Sequence, residues 1–174
     1  MTPASFTVRR LAEEDAASFR EIRLAAVTQS PEAFGTTLEL AASRPLSWYA
    51  DRLTESAIFA AFLDGRVVGI VGLRHEDGPK ERHKATLWSM FVRAEARGHG
   101  IGAALVQAAL EHAGRLGEGD SRVEQVVLFV VADNLPAIRL YERFGFTAWG
   151  REPRAHKSHG VYADELHMIR FLAP

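Results

Sequence analysis

The chain contains no cysteine. That excludes disulfide staples, thiolate metal sites and a cysteine nucleophile, and it fits a reducing compartment. Long apolar runs are lacking as well. The longest, residues 126–132 and 57–63, hold seven residues each, where a membrane-spanning helix needs about 20. Residues 1–6 carry no basic patch ahead of an apolar run, so no secretory leader is expected there. Neither sign of charge dominates: 21 Lys and Arg face 22 Asp and Glu. That balance gives no bulk electrostatic case for a nucleic-acid or membrane-surface partner. Internal repeats and low-complexity linkers are missing too. What is present is a globular composition, 47% hydrophobic and 25% charged over 174 residues. It suffices for one domain, residues 1–174, with a real core. The expectation is a cytoplasmic protein with no nucleic-acid or membrane partner.

The pattern along the chain alternates between strand and helix signals. Residues 6–9 suit a short strand. Residues 13–27 suit a helix with Ala16, Phe19, Ile22 and Ala26 on one face. Ser30 and Pro31 open a second helical piece through Leu40, and Pro45 interrupts before a third over residues 48–53. Residues 57–63 and 67–74 are β-prone runs joined by Asp64-Gly65, a pair suited to a tight hairpin turn. A polar loop covers 75–84, and 85–92 reads as a strand. The spacing then predicts a helix over 101–113, ended by Gly114 and Gly117. Residues 123–131 form the most apolar strand, and its seven-residue run predicts cover on both faces. Asn134 and Pro136 open a last helix with Ala137, Leu140, Tyr141 and Phe144 on its apolar face, stopped by Gly145. Strands at 147–149 and 165–172 close the chain. The order predicts an α/β domain with a mixed sheet and helices on both faces.

Chemistry concentrates at Arg97-Gly98-His99-Gly100-Ile101-Gly102, between a strand and a helix. Three glycines let the backbone turn tightly, and the helix behind them offers free N–H groups and a positive dipole end. Together these suit a pyrophosphate. A P-loop would end in Gly-Lys-Ser/Thr, but Ala103 and Ala104 follow here. Gly98, Gly100 and Ala103 do satisfy the dinucleotide pattern G-x-G-x-x-G/A, with Glu124 at the expected distance. Glu124, however, stands at the start of its strand, and few elements remain after it. A nicotinamide-dinucleotide enzyme therefore stays as an alternative, behind coenzyme A.

The glycine turn also matches Q/R-x-x-G-x-G/A, and downstream stand Asn134-Leu135-Pro136-Ala137-Ile138-Arg139-Leu140-Tyr141 and then Gly145-Phe146. With an apolar strand between them, these two motifs resemble the GNAT (GCN5-related N-acetyltransferase) superfamily over residues 86–146. The resemblance implies a mixed twisted sheet whose central strands splay at a bulge, with pantetheine entering the gap like an added strand. It implies that Met90, Phe91 and Val92 supply backbone groups to pantetheine and the thioester carbonyl. Arg97, Gly98, His99, Gly100, Ile101, Gly102 and Ala103 would hold the pyrophosphate. Asn134 and Ala137 would line the pantetheine arm, and Tyr141 would lie near the sulfur and protonate the leaving thiolate. The implied activity is direct acetyl transfer from acetyl-CoA, as cosubstrate, to a primary amine, without a metal. A regulatory acyl-CoA-binding module with little turnover is the alternative of another class.

One departure concerns the base. Many relatives carry a glutamate or histidine on the strand before the glycine turn, whereas residues 85–90 offer no carboxylate. Glu39, Glu76, Glu81 or bulk solvent would then take the amine proton. Other features have plainer readings: Tyr141 as a core tyrosine, Asn134 as a helix cap, and Asp164 and Glu165 as a solvated strand-end pair. His156 and His159 read as part of a solvated polar loop. The resemblance places acceptor walls at residues 34–40, Trp48 and residues 151–164, without naming an acceptor. A homodimer is compatible with the sequence.

Overall fold

The computed structural model describes residues 5–173. The reading of residues 1–4 as free of a leader lies outside the described residues. One seven-stranded sheet forms the frame, in the order β1-β2-β3-β4-β5-β7-β6. Its strands are β1 (Phe6–Arg10), β2 (Ala57–Leu63), β3 (Arg66–His75), β4 (Lys84–Val92), β5 (Gln125–Val131), β6 (Thr147–Ser158) and β7 (Val161–Phe171). The helices are α1 (Ala16–Gln29), α2 (Leu38–Ser43), α3 (Leu46–Glu55), α4 (Ile101–Ala113) and α5 (Leu135–Arg143). Neighbouring strands are antiparallel except β4 and β5. No helix among the described residues is long and apolar enough to cross a membrane.

The hairpin is where its turn residues put it. Asp64 and Gly65 both have positive φ, 50° and 77°, as a two-residue turn between right-twisted strands requires. α1 buries Ala16, Phe19, Ile22, Ala26 and Val27 at helical spacing. With α3 it covers one face of β2, β3 and β4, where Phe19, Tyr49, Ile58 and Ile70 are nearly inaccessible. α4 covers the opposite face through Ile101, Leu105, Val106 and Ala109, packed among Val71, Leu87, Val126 and Leu128.

Three expectations need correction. Residues 30–40 are not one helix. A 3-10 turn at Pro31–Ala33 gives way to extended Phe34, and α2 begins only after Thr37, whose hydroxyl accepts from the Leu40 N–H at 3.3 Å. Nor is β5 covered on both faces. Val126, Leu128 and Val130 are buried, but Phe129 is 48% exposed. The α1–α3 layer packs on β2–β4 and buries no β5 residue. The strand sealed on both sides is β3, buried from Val67 to Leu73. Finally, His156 does not stand in a polar loop but in a strand, with His159 in the turn that follows it. β6 and β7 form a long hairpin that turns at His159 and Gly160, with φ of 48° and 82°. Its polar residues hide the strand signal because neither face of its outer part is buried.

Candidate functional site

The sheet opens at its centre. β4 and β5 pair at only three positions, Lys84 with Gln125, Ala85 with Val126 and Thr86 with Val127. Beyond Thr86 they diverge. The cause lies in β4. Opposite Ile70–Gly72 of β3 it fits an extra residue between Trp88 and Phe91, and Ser89 takes a φ of 57°. Such a bulge bends its strand and sharpens the local twist. Trp88 then lies on Gly72, where a Cβ would stand 2.5 Å from the indole.

The gap continues as a cleft of about 770 Å³. Its walls include Met90, Phe91 and Val92 from β4, Val131 from β5, and Asn134, Ala137 and Leu140 from α5. Its far end is the glycine turn. Gly98 and Gly100 have φ of 81° and 79°, a region costly for residues with a Cβ. Ile101, Gly102 and Ala103 form the first turn of α4, so their N–H groups lack intrahelical acceptors. Among the described residues, no amide from 98 to 103 donates to a backbone carbonyl. Gly102 lets helix and strand close up, since a Cβ there would meet Leu140 and Met90 at 3.3 Å. These features make an anion-binding concavity at one end of an apolar slot.

Most residues singled out in the sequence come together here. Met90, Phe91, Val92, Arg97, Gly98, Gly100, Ile101, Gly102, Ala103, Asn134 and Ala137 all line the cleft. His99 does not. It is exposed, with Nδ1 3.4 Å from the Ala96 carbonyl. Arg97 folds back onto β4, its Nε donating to the Val92 carbonyl at 3.0 Å. Asn134 caps α5, its Oδ1 accepting from the Ala137 N–H at 3.3 Å. Tyr141 is 5% exposed and packs edge-on against Phe146 at 5.9 Å. It is not among the cleft walls, though Ala137 and Leu140 of the same helix are. Burial pushes its phenol well above the ordinary tyrosine range. Gly145, with φ of 78°, ends the helix, and the Phe146 N–H returns to the Tyr141 carbonyl at 3.1 Å.

The three carboxylates considered as bases fall in different places. Glu39 is exposed on α2, and Glu81 pairs with Lys84 at 3.5 Å. Glu76 accepts the Thr86 hydroxyl at 2.6 Å, at the last paired position before the gap. Partial burial pushes its carboxyl up, but hydrogen bonds from Thr86 and Arg74 outweigh that and leave it below the usual range.

Sequence reasoning missed several participants. Arg143 reaches the cleft from the end of α5, and Glu32 and Asp133 line its rim. Arg23 of α1 donates to the Ser89 hydroxyl at 2.7 Å. Glu152, Glu165 and His167 bring one ligand atom each within 4.8 Å of one another across the β6–β7 hairpin, and His156 lies 3.2 Å from Glu165. No period-two signal marks residues 147–158, which are largely exposed on both faces and interrupted by Pro153 and by bulges.

Comparison with known proteins agrees with this geometry. The family model described as "Acetyltransferase (GNAT) family" matches residues 19–146. A mycothiol acetyltransferase of Mycobacterium avium is 35% identical over 78% of the chain. The chain spans only 44% of that protein's length. An L-amino acid N-acetyltransferase of Escherichia coli is 26% identical over 96% of this chain and 98% of its own. Among solved structures, a GNAT superfamily phosphinothricin acetyltransferase from Sinorhizobium meliloti, in complex with AcCoA, superposes with a TM-score of 0.80. It is 23% identical, over 96% of this chain and 88% of that one. A parted central strand pair, a glycine turn of free amides and a matching family model over most of the chain together place this protein in the GNAT acetyltransferase family.

Proposed function

We propose that this chain is an acetyl-CoA-dependent N-acetyltransferase that moves the acetyl group directly to a primary amine. The observation that carries the reading is the gap between β4 and β5, which opens onto the free amides of residues 98–103. The pyrophosphate sits on those amides, with Arg97 and Arg143 adding positive charge at the mouth. Pantetheine lies against the unpaired edge of β4 and is flanked by Asn134 and Ala137. It pairs with Met90–Val92 backbone groups as an added strand would. A family neighbour crystallised with AcCoA supports the choice of cofactor, and the names of the relatives share acetyl transfer.

The amine lone pair attacks the thioester carbon. A C–N bond forms and the carbonyl electrons move to oxygen, where a β4 amide beside the bulge stabilises the oxyanion. Collapse restores the carbonyl and breaks the C–S bond. Tyr141 gives its proton to the departing thiolate, a role served by a phenol that burial keeps protonated. The proton released by the amine passes through water to Glu76, which is fixed by Thr86 at the apex of the gap. No acyl-enzyme is required, consistent with a chain without cysteine.

Two measurements test this. Calorimetry should detect stoichiometric acetyl-CoA binding, and thiol release across a panel of amines should show turnover. Binding without turnover for any amine would replace the enzyme with an acyl-CoA-binding module. Absence of binding would end both readings.

A further inference from the structure

Two arginines lie in the interior near the gap, and the protein treats them differently. Arg93 is 5% exposed and fully answered: Glu21 pairs with it at 2.6 Å and the Val67 carbonyl accepts from its Nε at 2.9 Å. Arg23, on α1, is half-buried and has one hydrogen bond, to the Ser89 hydroxyl at 2.7 Å. Among the described residues no carboxylate pairs with it. Burial draws its basicity down, with only the Tyr49 hydroxyl acting the other way. A guanidinium carries five N–H donors, and a desolvated one without a counter-charge is costly. Retaining it calls for an anion that arrives from outside.

Its position says where. Ser89 is the left-handed residue of the β4 bulge, directly before Met90, which lines the cleft. The Arg23 guanidinium stands 5.2 Å over the ring of Phe34, which in turn meets Phe91 edge-on at 6.4 Å. Both rings line the cleft. The carboxylates of that cleft, Glu32 and Asp133, do not pair with Arg23. The surrounding charge favours an anion too. Arg20 and Arg44 act with Arg23 on the Tyr49 hydroxyl, and Arg20 is committed to the Ala42 carbonyl and Arg44 to the Trp48 ring. Among the described residues Arg20 also lacks a carboxylate partner, and its buried Nε has no acceptor, but it is Arg23 that touches the bulge through Ser89 and the cleft wall through Phe34.

We propose that Arg23 anchors the acceptor: the amine acetylated by this chain carries a carboxylate, and the guanidinium binds it while Ser89 and Phe34 hold the fork in place. The class of acceptor is a small amino acid. The planar fork suits a two-point grip on a carboxylate. With the carboxylate there, the amine one carbon away lies toward the bulge, where the thioester ends. This rests on the acetyl-transfer reading and adds the acceptor's second functional group to it.

The test compares each common L-amino acid with its own carboxamide, which keeps the amine and side chain and removes the charge. The expected result is a kcat/KM at least about 30-fold higher for the best acid than for its amide. Arg23→Gln should erase that ratio by raising KM for the acid far more than for the amide. Arg23→Lys should recover part of it. Equal turnover of acid and amide by the unaltered protein overturns the proposal, as does an Arg23→Gln loss equal for both. A separate arm titrates the same amino acids into the CoA-bound protein by calorimetry. Heat from acids and none from amides supports the anchor even without turnover. If CoA binds and no acid does, Arg23 is not the anchor. If CoA itself does not bind, it is the acetyl-transfer reading that fails.

Discussion

In the proposed reaction Tyr141 and Glu76 would carry opposite protonic duties, and their surroundings push them in opposite directions. The phenol is held above its ordinary range by burial alone. It therefore keeps its proton through neutral and alkaline conditions, and its ionisation should not set the alkaline limb of kcat below about pH 10. Tyr141→Phe should lower the single-turnover rate about 100-fold while CoA affinity stays within about 2-fold. A rate unchanged by the substitution would remove the residue from the chemistry. For Glu76 the sign runs the other way. Its folded pKa is depressed below the ordinary 4.5, so the carboxylate is ready as a base across neutral pH. Activity that depends on it falls only as pH drops through that lowered value. The stability that its ionised form contributes is present above the unfolded pKa and is lost in the same descent. Glu76→Gln should flatten the acid limb of kcat/KM and lower the neutral plateau, read in a pH–rate profile. A limb left in place would assign the base to another group.

Among the elements, β4 does the most with the least regular geometry. Its bulge is seated by the contact of Trp88 with Gly72, where a Cβ would approach the indole to 2.5 Å. Gly72→Ala should cost about 1–3 kcal/mol by overpacking and lower Tm by about 2–12 °C. Because the displaced indole is attached to the bulge, CoA affinity should fall as well, which calorimetry on the folded variant would register. The sequence made the glycine turn, the α4 start and the α5 cap legible, because glycine, asparagine and proline each answer a local backbone demand. The bulge came only from the family resemblance and not from the residues of β4 themselves, since Ser89 carries no mark of a left-handed residue. Nor did the sequence disclose the outer halves of β6 and β7. Period-two patterning appears only where one face is buried, and residues 151–158 are largely exposed on both. The open face of β5 went unread for a related reason: an apolar run reports what a strand could bury, not whether a helix layer reaches it. Phe129 is the residue that the α1–α3 layer fails to reach.

On the scale of the whole molecule, the two halves of the sheet pair at only three β4–β5 positions and are otherwise joined by the shared α4 core. A ligand that bridges both strands should therefore stabilise the fold as a unit. Acetyl-CoA at about 100 times its dissociation constant would add about 2.7 kcal/mol, a rise in Tm of about 5–11 °C in a thermal scan. Gly100→Val, which places a branched side chain at a φ of 79°, should remove most of that rise by distorting the turn that meets the diphosphate. The full rise retained in the Gly100→Val variant would locate the diphosphate elsewhere.

The splay has one more outcome. A sheet normally shields its amide protons by pairing them across every internal rung, and here the rungs stop at Thr86. In deuterated solvent the apo protein should show a line of fast-labelling positions through its own centre, flanked by slow ones on either side. On the proposed reading, saturating acetyl-CoA should silence that line first at residues 90–92, supplying the missing rung of the lattice.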